Sequence, residues 1–204
     1  LALSCDYRIG TNRTQFRFPE TNIGIYPGLG GTQRTTRICG LEIARYAVLA
    51  GNFLNSETAK AFGLLTHLVD VNDIDKTIYE IINLGKNNDK YLKNSIDEDH
   101  SIVKFARRFY TDENLYSILN GSDLEDLDMS DNQVSRQIKS LSRTAPIALS
   151  TASKLLDIAN HKDTEFNQGL KQELDNLEYI FSTSDSLEGL SALIEGRRAK
   201  YKNS

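Results

Sequence analysis

Residues 16–40 read FRFPETNIGIYPGLGGTQRTTRICG, and this stretch carries the strongest signals in the chain. A lone carboxylate, Glu20, follows Pro19, and a glycine-rich loop at 27–31 then leads into a predicted helix. Glycines let the backbone approach a ligand closely, and the N-terminus of a helix favours negative charge. The stretch therefore predicts an acidic side chain next to a loop that suits an anionic ligand.

Glu20 is the candidate proton-transfer group because its sequence neighbours are apolar. An apolar environment disfavours the ionised carboxylate and raises its pKa, which suits a general acid or base near neutral pH. On composition alone, an ordinary carboxylate at a helix start or in a loop explains Glu20 equally well, so the residues leave both interpretations open. The apolar neighbours are Phe18, Pro19, Ile23 and Ile25.

Other kinds of catalytic site have little support. The glycine loop lacks the Lys-Ser/Thr of a P-loop and the third glycine of a dinucleotide fingerprint. No Gly-x-Ser-x-Gly nucleophile elbow occurs. His67, His100 and His161 are far apart and do not have the spacing of metal ligands. We therefore expect no metal.

The pattern around the glycine loop indicates an α/β fold. Thr14–Phe18 alternates like a strand, and Leu64–Val71 also reads as a strand. Between these strands we predict three helices. The first begins near Gln33, with Thr32 as its cap, and is closed by Gly40; the second is Leu41–Ala50. The third is a short helix that Ser56-Glu57 cap and that ends at Phe62.

Beyond Asp73 the chain reads as helical. Ser140–Ala159 is one predicted helix with Pro146 near a break, and Asp123–Asp131 is predicted to be a solvated acidic loop. An apolar stripe with helical spacing predicts a core-facing helix near the C-terminus. Its members are Phe166, Leu170, Leu174, Leu177 and Phe181.

Composition limits the class of protein. The chain has 204 residues, 39% hydrophobic and 25% charged, and a mean hydropathy of −0.42, which is typical of a soluble globular protein. No run of about 20 apolar residues predicts a membrane span. The net charge of −4 argues against general nucleic-acid binding. Two cysteines make no disulfide scaffold, so we expect a cytoplasmic location.

Arginine supplies every cation of the first 45 residues, six in all against three acidic residues. The guanidinium fork matches carboxylate and phosphate geometry, so an anionic ligand or buried ion pairs are expected there. Ordinary surface salt bridges explain any single arginine equally well.

Four blocks resemble the crotonase, or enoyl-CoA hydratase/isomerase, superfamily. They are LALSCDYRI (1–9), FPETNIGIYPGLGGTQR (18–34), ARYAVLAGNFLNSETAKAFGLLTHLVD (44–70) and FSTSDSLEGLSALIEGRRAKY (181–201). The resemblance implies an α/β fold, a crotonase-like ββα superhelix that is incomplete because its N-terminal part is absent, with a C-terminal α-helical region. On this basis, 1–72 is the C-terminal part of the core, 73–133 a helical insert, and 134–204 a helical region for trimerisation and coenzyme A binding.

The resemblance also implies roles for single residues. Glu20 matches the glutamate that transfers a proton at the α and β carbons of an enoyl thioester. Pro27, Gly28, Gly30 and Gly31 match the loop beside the acyl pocket. The positions that touch the adenine-phosphate end of coenzyme A, often across a subunit interface, are matched by Phe181 and Arg198. Without the resemblance, Phe181 is the end of a core stripe and Arg198 is a cation of the tail.

Two departures from the family pattern matter. The second glutamate of hydratases lies immediately before the position of Leu1, and the two amide groups that polarise the thioester carbonyl lie further upstream, so we expect both outside this chain. That oxyanion hole is usually the largest contribution to catalysis. The stretch 85–132 is also longer than in a simple hydratase. Longer segments occur in 3-hydroxyisobutyryl-CoA hydrolases and in the hydratase module of a bifunctional 3-hydroxyacyl-CoA dehydrogenase/enoyl-CoA hydratase, and Gly28 favours the hydratase because hydrolases have aspartate there.

The expected function is hydration of trans-2-enoyl-CoA to 3-hydroxyacyl-CoA in fatty-acid β-oxidation. The coenzyme A thioester is a substrate rather than a permanently bound cofactor, and a homotrimer or homohexamer is implied. An enoyl-CoA isomerase is an alternative because it needs one carboxylate. A 3-hydroxyisobutyryl-CoA hydrolase-like thioesterase is another, although its pattern has aspartate at the position of Gly28. A non-catalytic helical interaction or assembly module is the alternative from a different class.

Overall fold

Helices dominate the computed structural model, which describes residues 1–84, 95–121 and 127–204. Short 3-10 turns lie at Ala2–Ser4, Glu20–Ile23 and Val71–Asp73. The described α-helices are α1 Gly31–Cys39, α2 Leu41–Leu49, α3 Ser56–Ala61, α4 Ile74–Leu84, α5 Ser101–Phe109, α6 Asp112–Asn120, α7 Asn132–Leu141, α8 Pro146–Asn160, α9 Phe166–Asp175, α10 Leu177–Ser182 and α11 Ser184–Glu195.

Among the described residues, four two-residue strands form two ladders. Strands β1 (Ile9–Gly10) and β4 (His67–Leu68) are parallel, with Ile9 opposite His67. The other pair, β2 (Gln15–Phe16) and β3 (Leu54–Asn55), is antiparallel, with Gln15 opposite Asn55. Both strands predicted in this region occur, but they are shorter than predicted.

Helix α3 explains why the predicted strand 64–71 is short. The backbone N–H groups of Leu64 and Leu65 donate to the carbonyl of Ala59, at 2.9 and 3.2 Å. These bonds close the end of α3 and leave the two residues outside the ladder. At the other end, the Asp70 side chain caps the 3-10 turn that begins at Val71. Only the middle of the segment remains as a strand.

Two predicted helix caps were wrong. Helix α1 begins at Gly31 with Gly30 in the left-handed conformation as its N-cap, and no side chain of the N-cap closes it. Thr32 is not the cap, because its hydroxyl donates to another side chain instead. In α3 the cap is Asn55, whose side chain accepts from the Thr58 amide at 2.8 Å.

The predicted helix 140–159 is two helices. Helix α7 ends at Leu141, and α8 begins with Pro146 in its first turn. Proline suits this place because it has no N–H group to donate, and the N–H groups of a first helical turn have no partner within the helix.

The predicted apolar stripe does not face the core. Its helix breaks at Asn176 between α9 and α10. Leu174 is 63% exposed and Phe181 is 48% exposed. The buried residues on these two helices are Gly169, Glu173 and Ile180. After the break, the residues of α10 no longer continue the face of α9. On α9 itself the buried side chain is that of Glu173, which contacts α1.

The core draws on all three predicted segments. Ile43 of α2, Phe109 of α5 and Leu155 of α8 belong to one buried cluster. The partly buried Tyr46 packs against this cluster, and its ring lies 5.4 Å from the Phe62 ring in a T-shaped arrangement. The division into 1–72, 73–133 and 134–204 stays a prediction. Residues 85–94 and 122–126, which belong to the insert and to the acidic loop, lie outside the described residues.

Two of the six N-terminal arginines are buried and bind protein groups. The Arg8 guanidinium donates to the carbonyls of Leu64 and Cys5, at 2.7 and 2.6 Å. The Arg45 guanidinium donates to Asp112 and Asp157, at 2.6 and 2.7 Å. For these two arginines the ion-pair and hydrogen-bonding interpretation therefore applies.

Candidate functional site

Glu20 is the first residue of the 3-10 turn Glu20–Ile23. The Asn22 amide donates to the Pro19 carbonyl at 3.0 Å, and the Ile25 amide donates to the Glu20 carbonyl at 3.1 Å. Gly24 ends the turn with a φ of +83°, a conformation that favours glycine. This local geometry fixes the direction in which the Glu20 side chain leaves the backbone.

The Glu20 carboxyl group is half-buried and only partly satisfied. Its Oε2 atom is buried and has no hydrogen-bond partner within the part of the chain that the structure describes. Burial raises the pKa of Glu20, while a hydrogen bond from its own backbone and the charge of Arg17 oppose this shift. The direction agrees with the sequence prediction. A carboxyl group with a raised pKa, and with one oxygen that has no hydrogen-bond partner among the described residues, can exchange a proton with a bound molecule.

The glycine loop has different requirements at its three glycines. Gly30 has a φ of +80°, and an added Cβ would lie 1.7 Å from Nη1 of Arg34. At Gly31 an added Cβ would lie 2.8 Å from the Pro27 Cβ. At Gly28, by contrast, an added Cβ would meet no atom within 4 Å. Gly28 therefore borders open space, whereas the positive φ favours glycine at position 30 and the contact with the rigid Pro27 ring favours it at position 31.

Glu173 is the residue that the sequence analysis missed. Its carboxylate accepts from the Gly30 amide and the Thr32 hydroxyl, each at 2.6 Å, at the N-terminus of α1. The protein itself therefore supplies the negative charge that this helix start favours. The signal in the sequence was an acidic residue one position before Leu174, inside an apolar stripe that was assigned to the core.

Tyr26 also belongs to this arrangement. Its hydroxyl donates to the backbone carbonyl of Glu173. Burial raises the pKa of Tyr26 to about 12, and the nearby Glu173 carboxylate adds to the shift. Tyr26 therefore stays protonated at neutral pH and acts as a hydrogen-bond donor.

Helix α11 packs directly on the turn that carries Glu20. An added Cβ at Gly189 would lie 2.3 Å from the Ile23 carbonyl oxygen, and one at Gly24 would lie 2.5 Å from the Asp185 carbonyl oxygen. The backbones are thus in contact in both directions. In addition, the Tyr201 hydroxyl donates to the Asn22 carbonyl at 2.5 Å.

The structure separates the two predicted C-terminal ligand residues. Arg198 lies after α11 and lines a cleft of about 520 Å³ with Asn22 and Ile23 of the Glu20 turn. Phe181 does not line this cleft; it lies at the end of α10 with 48% of its surface exposed. Within this chain, Arg198 is therefore close to the Glu20 turn, and Phe181 is not brought to it.

The described residues contain no group of three or more His, Cys, Asp or Glu side chains that could hold a metal ion. Within the same residues, no helix is both long and apolar enough to cross a membrane.

A family model described as enoyl-CoA hydratase/isomerase matches residues 1–203. The chain belongs to this family. Its fold is the α/β crotonase-like fold: an enoyl-CoA hydratase structure from Rhodobacter sphaeroides has a TM-score of 0.73 at 19% identity, with 99% of this chain and 58% of that one covered.

Two relatives match a shorter region. A short-chain-enoyl-CoA hydratase of Clostridium acetobutylicum is 35% identical over 41% of this chain and 32% of its own length. An enoyl-CoA isomerase/hydratase of Mycosarcoma maydis is 45% identical over 33% of this chain and 25% of its own length. The matched regions thus span about a third or less of these relatives, and the chain spans little more than half of the related structure.

Proposed function

We propose that this member of the enoyl-CoA hydratase/isomerase family supplies the proton-transfer carboxylate of a site that hydrates trans-2-enoyl-CoA to 3-hydroxyacyl-CoA, a step of fatty-acid β-oxidation. One observation carries the proposal: Glu20 keeps a buried carboxyl oxygen without a partner among the described residues. The name of the Clostridium acetobutylicum relative supports the choice of hydration.

The chemistry assigns one step to Glu20. The oxygen of water adds to C3 of the enoyl thioester, and a proton adds to C2. Glu20 in its protonated form donates the proton to C2, and the raised pKa keeps that form populated to a higher pH than in an ordinary glutamate. A second carboxylate, which the family resemblance locates before Leu1, holds the water and accepts the proton that its oxygen loses on adding to C3. Two amide donors, located upstream by the same resemblance, polarise the thioester carbonyl.

Open space beside the loop suits the acyl group. Gly28 borders a region that no described atom within 4 Å would fill. The guanidinium of Arg198, in the cleft beside Asn22 and Ile23, suits the phosphate groups of coenzyme A. In this proposal coenzyme A is part of the substrate and not a resident cofactor.

Exposed apolar side chains support assembly into a homotrimer or homohexamer. Leu174 is 63% exposed and Phe181 is 48% exposed on α9 and α10. Packing of these side chains against a neighbouring subunit would remove their apolar surface from water. In such an assembly Phe181 contacts coenzyme A that is bound mainly by a neighbouring subunit.

Enoyl-CoA isomerisation is the second candidate, favoured by the name of the Mycosarcoma maydis relative. An isomerase moves a proton between two carbons of the same acyl chain, and one carboxylate suffices for this. Product analysis separates the two reactions: a hydratase forms a hydroxyl group at C3, whereas an isomerase shifts the double bond of a trans-3-enoyl-CoA without adding water.

The test is Glu20→Gln in the complete protein, with crotonyl-CoA as substrate. Loss of one general acid or base typically costs about 10²- to 10⁴-fold in rate, and we expect a decrease of that size. Glu57→Gln, an exchange at an exposed carboxylate, is the matched control and leaves the rate unchanged. Wild-type activity in Glu20→Gln, or release of free coenzyme A as the main product, would contradict the proposal.

A further inference from the structure

Glu173 of α9 contacts both ends of the segment 26–33. Its backbone carbonyl accepts from the Tyr26 hydroxyl, and its carboxylate accepts from the Gly30 amide and the Thr32 hydroxyl, each at 2.6 Å. The backbone N–H of Gln33 also donates to this carboxylate, with its nitrogen 3.4 Å from Oε1. Glu173 is only 3% exposed. One buried residue therefore holds the glycine loop at its start and at its end.

A carboxylate suits this place better than a neutral side chain. Burial of a carboxylate is costly unless donors surround it, and here three donors and the positive end of α1 do so. Hydrogen bonds to a charged acceptor are shorter and stronger than neutral ones. The bonds at 2.6 Å agree with that, so the charge of Glu173 contributes to how firmly the loop is held.

Close packing of α9 on α1 fixes the position of Glu173. An added Cβ at Gly169 would lie 1.8 Å from Oε1 and 2.5 Å from Cδ of Gln33, so glycine leaves room for this buried side chain against α9. Residues 169 and 173 are one turn apart on the same helix face. From Gln33 the network continues into α8, because its side-chain amide donates to the Leu155 carbonyl at 3.0 Å. The anchor for the loop is therefore itself bound to the core.

The anchored loop is joined directly to the Glu20 turn. Only Gly24 and Ile25 separate the turn from Tyr26, and the Ile25 amide donates to the Glu20 carbonyl. Pro27 packs on Gly31 across the loop. A change at Glu173 would therefore alter the distance between Glu20 and a group bound beside Gly28, without removing any side chain that contacts that group.

We infer that Glu173 is a positioning residue for proton transfer by Glu20: it holds loop 27–31, beside which the acyl group binds, in register with the Glu20 turn. This inference rests on the proposed function. A reacting group displaced by about 1 Å loses up to about 100-fold in rate, so the effect belongs mainly to kcat.

The test compares Glu173→Gln with Glu165→Gln in the complete protein. Both exchanges replace a glutamate of the α9 region by its isostere, but Glu165 is exposed at the start of that helix. With crotonyl-CoA, Glu173→Gln lowers kcat roughly 10- to 100-fold, while its KM and the Kd of free coenzyme A change by less than about threefold. Glu165→Gln keeps the wild-type kcat. Circular dichroism and urea unfolding confirm that the assayed protein is folded.

A second pair keeps the test decisive if Glu173→Gln does not fold. Thr32→Val removes one donor to Glu173 at nearly constant volume, and Thr32→Ser keeps it. We expect a lower kcat, at unchanged KM, in the valine variant only.

The two proposals fail in different ways. Wild-type protein that acts neither as hydratase nor as isomerase on enoyl-CoA overturns the proposed function and this inference with it. Active wild-type protein, with wild-type kcat in folded Glu173→Gln and Thr32→Val, overturns the role of Glu173 alone. A loss of stability without a loss of kcat per folded molecule also overturns it, because it shows a purely structural role.

Discussion

The glycine loop and the C-terminal helices contribute to the candidate site in different ways. The loop at 27–31 is held from inside the chain, since Glu173 binds Gly30 and Thr32 in a buried network. On the helices, Phe181 presents about half of its surface to solvent, and Arg198 is exposed beside a cleft. The loop therefore has its geometry fixed within this chain, whereas Phe181 and Arg198 leave a large part of their surface open to solvent.

The largest expected difference between the two regions concerns stability. Phe62 is fully buried and packs on Tyr46, so Phe62→Ala costs about 3–5 kcal/mol in the free energy of unfolding. Phe181→Ala costs only about 1 kcal/mol within the subunit, because about half of its side chain is exposed. Urea unfolding at low protein concentration measures both values, and light scattering measures the effect of Phe181→Ala on assembly. Equal destabilisation by the two variants would contradict the difference between core and surface.

The contact of α11 with the Glu20 turn gives a smaller effect. Gly189→Ala forces its Cβ against the Ile23 backbone, and we expect about 1–3 kcal/mol of destabilisation, which exceeds the gain in helix propensity of up to about 1 kcal/mol. Gly28→Ala is the control because its Cβ meets no atom within 4 Å; it changes stability by less than about 0.5 kcal/mol. It still raises the KM for crotonyl-CoA if the acyl group lies there. An unchanged free energy of unfolding for Gly189→Ala would show that α11 can move away from the Ile23 backbone at little cost.

The smallest expected effect is a shift in pH dependence. Burial raises the pKa of Glu20, and the charge of Arg17 lowers it. Because the protonated form donates to C2, activity falls as the pH rises through this pKa, above the usual range of a glutamate. Removal of the charge in Arg17→Gln raises the pKa further, so the fall moves to higher pH, while Arg17→Lys keeps the charge and leaves it in place. The pH profile of kcat/KM measures the shift; a move to lower pH would show that Arg17 acts through something other than its charge.

Local chemistry made much of the first half predictable. Gly40 ends α1 close to the predicted position, and the pKa direction of Glu20 follows from its apolar sequence neighbours. The start of α1 was not predictable in this way, because its cap comes from Glu173, 143 residues away in the chain. A local pattern can indicate that a helix start favours negative charge, but not which distant carboxylate supplies it.

The C-terminal stripe failed for a related reason. Helical spacing from Phe166 to Phe181 identifies an apolar face, but it does not say whether the chain itself or another molecule covers that face. The helix breaks at Asn176, and on α9 the side chain of Glu173 is buried while that of Leu174 is exposed. The same spacing is expected for a face that packs on another subunit.

In the proposed reaction Glu20 transfers the proton to C2, and hydration of crotonyl-CoA in D₂O follows that transfer. We expect the complete wild-type protein to form 3-hydroxybutyryl-CoA with one deuterium at C2, detected by mass spectrometry. We expect Glu20→Gln to incorporate this deuterium about 10²- to 10⁴-fold more slowly and Glu57→Gln to match the wild type. Incorporation at the wild-type rate by folded Glu20→Gln would contradict this role of Glu20.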